Sequence, residues 1–269
     1  MTGKIFRTVV LFTFVCVGAF AQAIRFDIEM DHSSFVVGEH VTCKIKIGNL
    51  GTKPLVIDDF SVFRQNRIFF EIFSKPNELY SQCRPGKIIK EMDLGHNEAV
   101  AFDVDLSEWY RLLDPAHLFI RAVLVCNEMR YESPLKTFDI VPGIEMASVE
   151  QFIPGAPSIT RKISLVYWNR QGRELAFLRA SDSPSGIIWM SLFLGDVVRV
   201  RKPSIIQDAK NPNVFSVYRQ ATRDMLVRTI FNSDEKGIRI VKQTRAVETV
   251  SSPMVDSIRE AVENAPDKD

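Results

Sequence analysis

His40-Val-Thr-Cys-Lys-Ile-Lys-Ile-Gly48 decides how this chain is read. Val41, Cys43, Ile45 and Ile47 alternate with Thr42, Lys44 and Lys46. A period of two is the pattern of a half-buried β-strand, with one wet face and one face turned to a core. The next residues, Asn49-Leu-Gly-Thr-Lys-Pro54, are a turn by composition. Upstream, Ile24-Arg-Phe-Asp-Ile-Glu-Met30 alternates in the same way. Downstream, strand-like runs follow at 54–57, 67–73, 87–92, 99–104, 118–125 and 135–140. Seven or eight short strands between residues 24 and 141, with no helix-period segment of more than a turn or two, predict a β-sandwich.

The second half also reads as β. Strand character recurs at 163–168, 175–179, 187–194, 197–201, 214–219, 225–231 and 238–241, with Gly172 and Gly237 between runs as hairpin turns require. Val166-Tyr167 followed by Arg173 to Arg179 echoes Val217-Tyr218 followed by Arg223 to Arg228. The echo is either a weak internal repeat or the ordinary likeness of two antiparallel hairpins. Too little chain remains for a complete propeller. The expected class is therefore all-β: a sandwich over 24–141, a linker over 142–160 with two Pro-Gly pairs, and a basic β meander, small barrel or partial propeller over 161–250. Ser252-Pro253, with Met254, Ile258 and Val262, predicts an amphipathic C-terminal helix, and 251–269 ends in a polar tail.

Two stretches of the first half resemble bacterial exported Ig-like modules. Val37-Gly-Glu-His-Val-Thr42 followed by Ile45-Lys-Ile-Gly-Asn-Leu-Gly-Thr-Lys-Pro-Leu55 is similar to their second strand and turn. Phe102-Asp-Val-Asp-Leu-Ser-Glu-Trp-Tyr-Arg-Leu112, then Phe119-Ile-Arg-Ala-Val-Leu124, is similar to their closing segment. Related modules include proteinase inhibitors and appendages of secreted enzymes. The resemblance covers 24–141 only. It implies the sandwich fold and leaves function open, because such modules host unrelated roles. The sequence departs from the pattern at Pro115-Ala-His117, where a Pro-Gly is usual.

Residues 1–23 carry Lys4 and Arg7, an uncharged run from Val9 to Ala21, and Ala21-Gln-Ala23. This three-part pattern predicts a secretory signal peptide cleaved after Ala23, leaving no transmembrane segment and a destination in periplasm or medium. Cys16 leaves with the signal, and the bulky Phe14-Val15 before it do not suit a lipidation site. Cys43, Cys83 and Cys126 remain, an odd number for an oxidising compartment. A Cys43–Cys126 disulfide is one option, but the tryptophan expected between them on the third strand is missing.

Charge is uneven. Residues 24–143 hold 14 Lys and Arg against 18 Asp and Glu, whereas 161–246 hold 16 against 7. Arg199, Arg201, Lys202, Arg219, Arg223 and Arg228 are candidates for a face binding an anionic polymer or lipid headgroups; alternatively they solvate the outer sides of strands. The aromatics of this half could stack on sugars, but core packing explains most of them.

Signatures of catalysis are missing. His32, His40, His96 and His117 show no paired spacing, no Cys-x-x-Cys occurs, and no Gly-x-Ser-x-Gly or phosphate-binding glycine loop is present. Cys83, in Ser81-Gln-Cys-Arg-Pro-Gly86, is a candidate reactive thiol beside Arg84, with no neighbouring base. Asp103 and Asp105 alternate with Phe102 and Val104 and so mark a wet strand face; Asp58-Asp59 could join a calcium site only with further oxygen ligands. The expectation is an exported, non-enzymatic envelope protein without cofactor or metal, acting on a protein partner through a strand edge or the arginine-rich face. Alternatives are an inhibitor of an extracytoplasmic hydrolase, using Ser74 to Glu78 or the Cys83 loop, and a polyanion- or glycan-binding accessory protein. Export removes nucleic acid from the expected partners.

Overall fold

The computed structural model describes residues 24–57, 67–75, 78–84, 86, 88, 91–126, 129–153, 156–185 and 187–247. The expected signal peptide (1–23), the expected C-terminal helix (251–269), Asp58-Asp59 and parts of both proposed inhibitory loops lie outside the described residues.

The chain is all-β. Its strands are β1 (Ile24–Met30), β2 (Ser34–Val36), β3 (Thr42–Asn49), β4 (Leu55–Ile57), β5 (Arg67–Phe73), β6 (Met92–Leu94), β7 (Ala99–Asp105), β8 (Ala116–Cys126), β9 (Met129–Glu132), β10 (Lys136–Val141), β11 (Ile144–Ile153), β12 (Ala156–Arg170), β13 (Arg173–Ser183), β14 (Ile187–Asp196), β15 (Ser204–Gln207), β16 (Val214–Thr222), β17 (Met225–Asp234) and β18 (Gly237–Val247). One 3-10 turn, Leu106–Glu108, follows β7.

The first unit is a two-sheet sandwich. One sheet runs β1-β3-β7; the other runs β2-β10-β8-β5, with β9 on β8. The alternation of His40–Gly48 is realised: Cys43, Ile45 and Ile47 are buried while Lys46 is exposed. They join Ile28, Phe35, Ile72, Leu118, Ile120 and Phe138 in one core drawn from both sheets. Asn49 ends β3 as a buried turn organiser. Its side-chain amide donates to the carbonyls of Lys53 (2.8 Å) and Leu94 (2.9 Å), and its Oδ1 accepts from Gly51 N. Tyr110 closes the β5 edge: its hydroxyl donates to Phe70 O at 2.8 Å and accepts from Phe70 N at 3.1 Å. Tyr110→Phe removes both bonds at a buried site and is expected to cost about 1–3 kcal/mol, read from the shift in a urea unfolding curve. A curve superimposable on wild type would deny Tyr110 this role.

The second unit is two antiparallel meanders, β11-β12-β13-β14 and β15-β16-β17-β18. Ile163, Leu165, Leu178, Phe215, Val217 and Phe231 form a core shared by both sheets. The two echoing hairpins of the sequence are β12–β13 and β16–β17, the central pair of each meander. Gln171 and Gly172 both adopt positive φ (53° and 83°) in the two-residue turn between Arg170 and Arg173, as a tight hairpin requires.

Residues 142–160 are not a linker: Ile144–Ile153 is β11, paired along β12, so the first Pro-Gly pair marks a strand boundary and not a domain gap. Residues 197–201 are not a strand. Val197 N donates to Glu174 O in the first meander and Val198 N to Gln220 O in the second, so consecutive amides leave for different sheets and no ladder forms; pairing resumes only after Pro203, at β15.

The units meet at an apolar joint. Val36 of β2 packs with Val166, Leu175 and Phe177 of β12 and β13. The outer face of the first meander thus lies against the sandwich while its inner face meets the second meander.

Candidate functional site

The joint creates a cleft. After β2 the chain turns through Val37 and Gly38, and this turn is bound to β14: Ser191 N donates to Gly38 O at 2.7 Å, and Ser191 Oγ donates to Val37 O at 2.7 Å. Behind the turn, Arg170 of β12 donates to Glu39 Oε2 at 2.5 Å, and its guanidinium lies over the rings of Phe35 and Phe177. Both partners of this ion pair are largely buried. The same Glu39 oxygen accepts from Val36 N at 2.8 Å, so a charge from the acidic half and one from the basic half fix the turn together.

On the other side lies the segment after β7. Asp105 Oδ1 accepts from Ser107 N at 2.9 Å and caps the 3-10 turn. Ser107 Oγ accepts from Val41 N and donates to Glu39 O. Leu112 and Leu113 follow on this segment. Cys83 reaches the same place through a backbone bond from its N to Trp109 O at 2.8 Å. Between these walls is a cleft of about 380 Å3, with Tyr110, Leu112, Leu113, Ile188 and Met190 as its apolar lining and Glu39, His40, Cys83, Asp105, Glu108 and Arg111 as its polar one.

His40 Nδ1 bonds Asp105 Oδ2, which leaves Nε2 as the ring's other polar atom. The Cys83 thiol donates to the Glu108 carbonyl at 3.9 Å, and Arg84 lies 3.7 Å from the Glu108 carboxylate. Cysteine, histidine and carboxylate therefore line one cleft, a convergence that sequence spacing did not reveal. His40 and Asp105 are 65 residues apart, one just before β3 and the other ending β7, and nothing in either local stretch signals the pairing. Among the described residues, no group of three or more His, Cys, Asp and Glu side chains could hold a metal ion.

The remaining candidates disperse. His117 pairs with Asp139 at 2.6 Å, and His96 Nδ1 bonds Gly51 O. Cys43 is buried, and burial pushes its thiol up to about 12. No disulfide forms among the described residues: Cys126 is buried as well, and Cys83 is the exposed thiol.

The proposed basic face is not one surface. Arg219 is buried (4% exposed) on the core side of β16, where it donates to the carbonyls of Leu194 and Asp196; burial lowers its pKa to about 10. Arg228, opposite Tyr218, lies on the other side of the same sheet and stacks over that ring. Arg199 pairs with Glu174 at 3.0 Å and stacks on Tyr167. Arg201, Lys202 and Arg223 are exposed in turns before β15 and after β16. The six residues do not converge on one groove: Arg219 and Arg228 lie on opposite faces of the second meander, and the other four sit outside its strands.

No protein-family model matches the chain. No curated protein matches it either. Among solved structures the chain is similar to the crystal structure of Spo0M, a sporulation control protein from Bacillus subtilis, at 9% identity, over 90% of this chain and 97% of that one, with a TM-score of 0.32. A likeness at that score carries no argument. Among the described residues no helix is long and apolar enough to cross a membrane.

Proposed function

We propose that this is an exported, non-enzymatic binding protein of the cell envelope, and that its joint cleft receives a protruding apolar side chain of a protein partner. The observation that carries the reading is the cleft itself. Five apolar side chains from both units line a concavity whose walls are fastened by backbone hydrogen bonds and a largely buried ion pair. Pre-formed, mostly apolar concavities with a few polar groups are the usual form of binding sites. The His40–Asp105 pair and Arg111 offer hydrogen bonds to the partner's backbone at the rim.

The test uses Leu113→Arg, which places a charge in the cleft at a half-buried residue outside the core cluster. A partner captured from envelope extract by wild type and identified by mass should be lost with this variant, while the melting temperature stays the same. Equal recovery of that partner by wild type and Leu113→Arg would reject the cleft. Turnover of a peptide, ester or glycan that disappears with Cys83→Ser or His40→Ala would replace the binding reading with an enzymatic one.

A further inference from the structure

The second meander ends in a strand whose outer edge is open. Among the described residues the backbone ladder of β18 is to β17 alone, and it is the last strand in its sheet; across to β14 it reaches only by the Gln243 side chain, which donates to Leu194 O at 3.2 Å. It is 11 residues long, and Arg239 to Gln243 is exposed without interruption. Exposed edges of this length are templates for another strand unless they are guarded. Three features say what the guard admits. Arg239, Lys242 and Arg245 make the strand basic, and no acidic residue occurs from Gly237 to Val247. None of the three forms an ion pair with a described residue. Ile240, Val241 and Val247 are exposed apolar side chains at 39%, 62% and 56%.

The pairing geometry divides the edge around Val241. Ile230 pairs with Lys242 and Phe231 with Ile240, so Val241 is an extra residue that bends the edge. From Lys242 to Val247 the register against Ile230 to Met225 is unbroken. A second copy of this chain docking edge to edge would set like charges against each other, which disfavours it. A strand with alternating carboxylates and aliphatic side chains meets both the charges and the apolar surface.

We propose that the open edge of β18 takes an extended, acidic segment of a partner protein as an added strand, at a surface separate from the cleft. In this mode backbone hydrogen bonds supply the affinity, and Arg239 and Lys242 select for carboxylates. The probe is a fluorescent hexapeptide alternating glutamate and valine, titrated by anisotropy into the purified full chain, beside a lysine–valine counterpart.

The acidic peptide should bind and the basic one should not, with roughly tenfold weaker binding to Arg239→Glu/Lys242→Glu. Methylating the amide nitrogens along one edge of the peptide should abolish binding, while methylation along the other edge is tolerated. Leu113→Arg should leave this binding unchanged, so the edge and the cleft fail or stand independently. Failure of the full chain to bind the acidic peptide, as would follow if its own acidic C-terminal segment occupied the edge, would overturn the proposal. Equal tolerance of both methylation patterns would overturn it too, by reducing the contact to charge alone.

Discussion

Arg161→Ala is expected to destabilise the protein by about 3–5 kcal/mol, the cost of leaving a buried carboxylate without its partner. Arg161 is 1% exposed and Asp182 is 6% exposed. They sit directly opposite each other on β12 and β13. Arg161 Nε and Nη2 donate to the two carboxylate oxygens at 2.8 and 3.1 Å. Its Nη1 then crosses to the other meander, donating to Asp234 O at 2.6 Å and Ser233 Oγ at 3.4 Å. One guanidinium thus bonds both sheets of the second unit through their shared interior. Truncation removes these bonds together and strands Asp182. The double variant Arg161→Ala/Asp182→Ala should be less damaging than Arg161→Ala alone, because no unpaired charge is left. Guanidinium unfolding curves of the wild type, both single variants and the double variant measure this. An Arg161→Ala protein within 1 kcal/mol of wild type, or a double variant worse than either single one, would sink the assignment.

Arg161 also shows where the sequence stops being legible. In the chain it is one of eleven arginines in a basic stretch, and exposure is the default for such a residue. What buries it is its position on the inward parity of β12, in line with Ile163 and Leu165, and a carboxylate 21 residues away at the matching register. Parity is readable from β12 alone; the partner is not. Arg219 fails in the same way. Its neighbours Phe215 and Val217 mark the inward face, yet the carbonyls that receive it belong to β14 in the other sheet. By contrast β1 and β3 are visible because period-two alternation needs no partner to be seen, and β8, β16 and β17 because their runs are rich in β-branched and aromatic residues. The Gln171-Gly172 hairpin was visible because a turn of positive φ restricts residue type locally. The cleft is not: Glu39, Asp105 and Met190 come from three distant stretches, brought together by the sandwich's own bonds through Ser107, by the packing of Val36 on Val166 and by the bonds of Ser191 and Arg170 to the Val37–Glu39 turn. Pro142-Gly143 misled for a related reason. Composition says that the chain changes direction there, but not whether it parts from its neighbours.

Gly143 and Gly38 are where that joint tolerates least change, and Gly143→Ala and Gly38→Ala are each expected to cost about 2–5 kcal/mol, backbone strain and overpacking together. Gly143 has φ +67°, and a Cβ there would fall 2.3 Å from Val166 Cγ1 and 3.2 Å from the Tyr167 carbonyl. Gly38 has φ +83°, and its Cβ would fall 2.9 Å from Ile188 Cγ2 and 3.1 Å from both Met190 C and Ser191 N. The two sites differ in what could give way. At Gly143 the closest atom is a side chain, so adding Val166→Ala should recover part of the loss. At Gly38 the backbone of β14 stands in the way, and the hydrogen bond from Ser191 N to Gly38 O holds it there; Ile188→Ala should recover little. Gly172→Ala is the internal control. It has φ +83° but nothing within 4 Å, so it carries the strain alone and should be the mildest of the three. Unfolding midpoints of the five variants order these effects. If Gly172→Ala proved as costly as Gly38→Ala, the loss would come from backbone conformation, and close approach of the two units at this turn would not be what excludes a side chain.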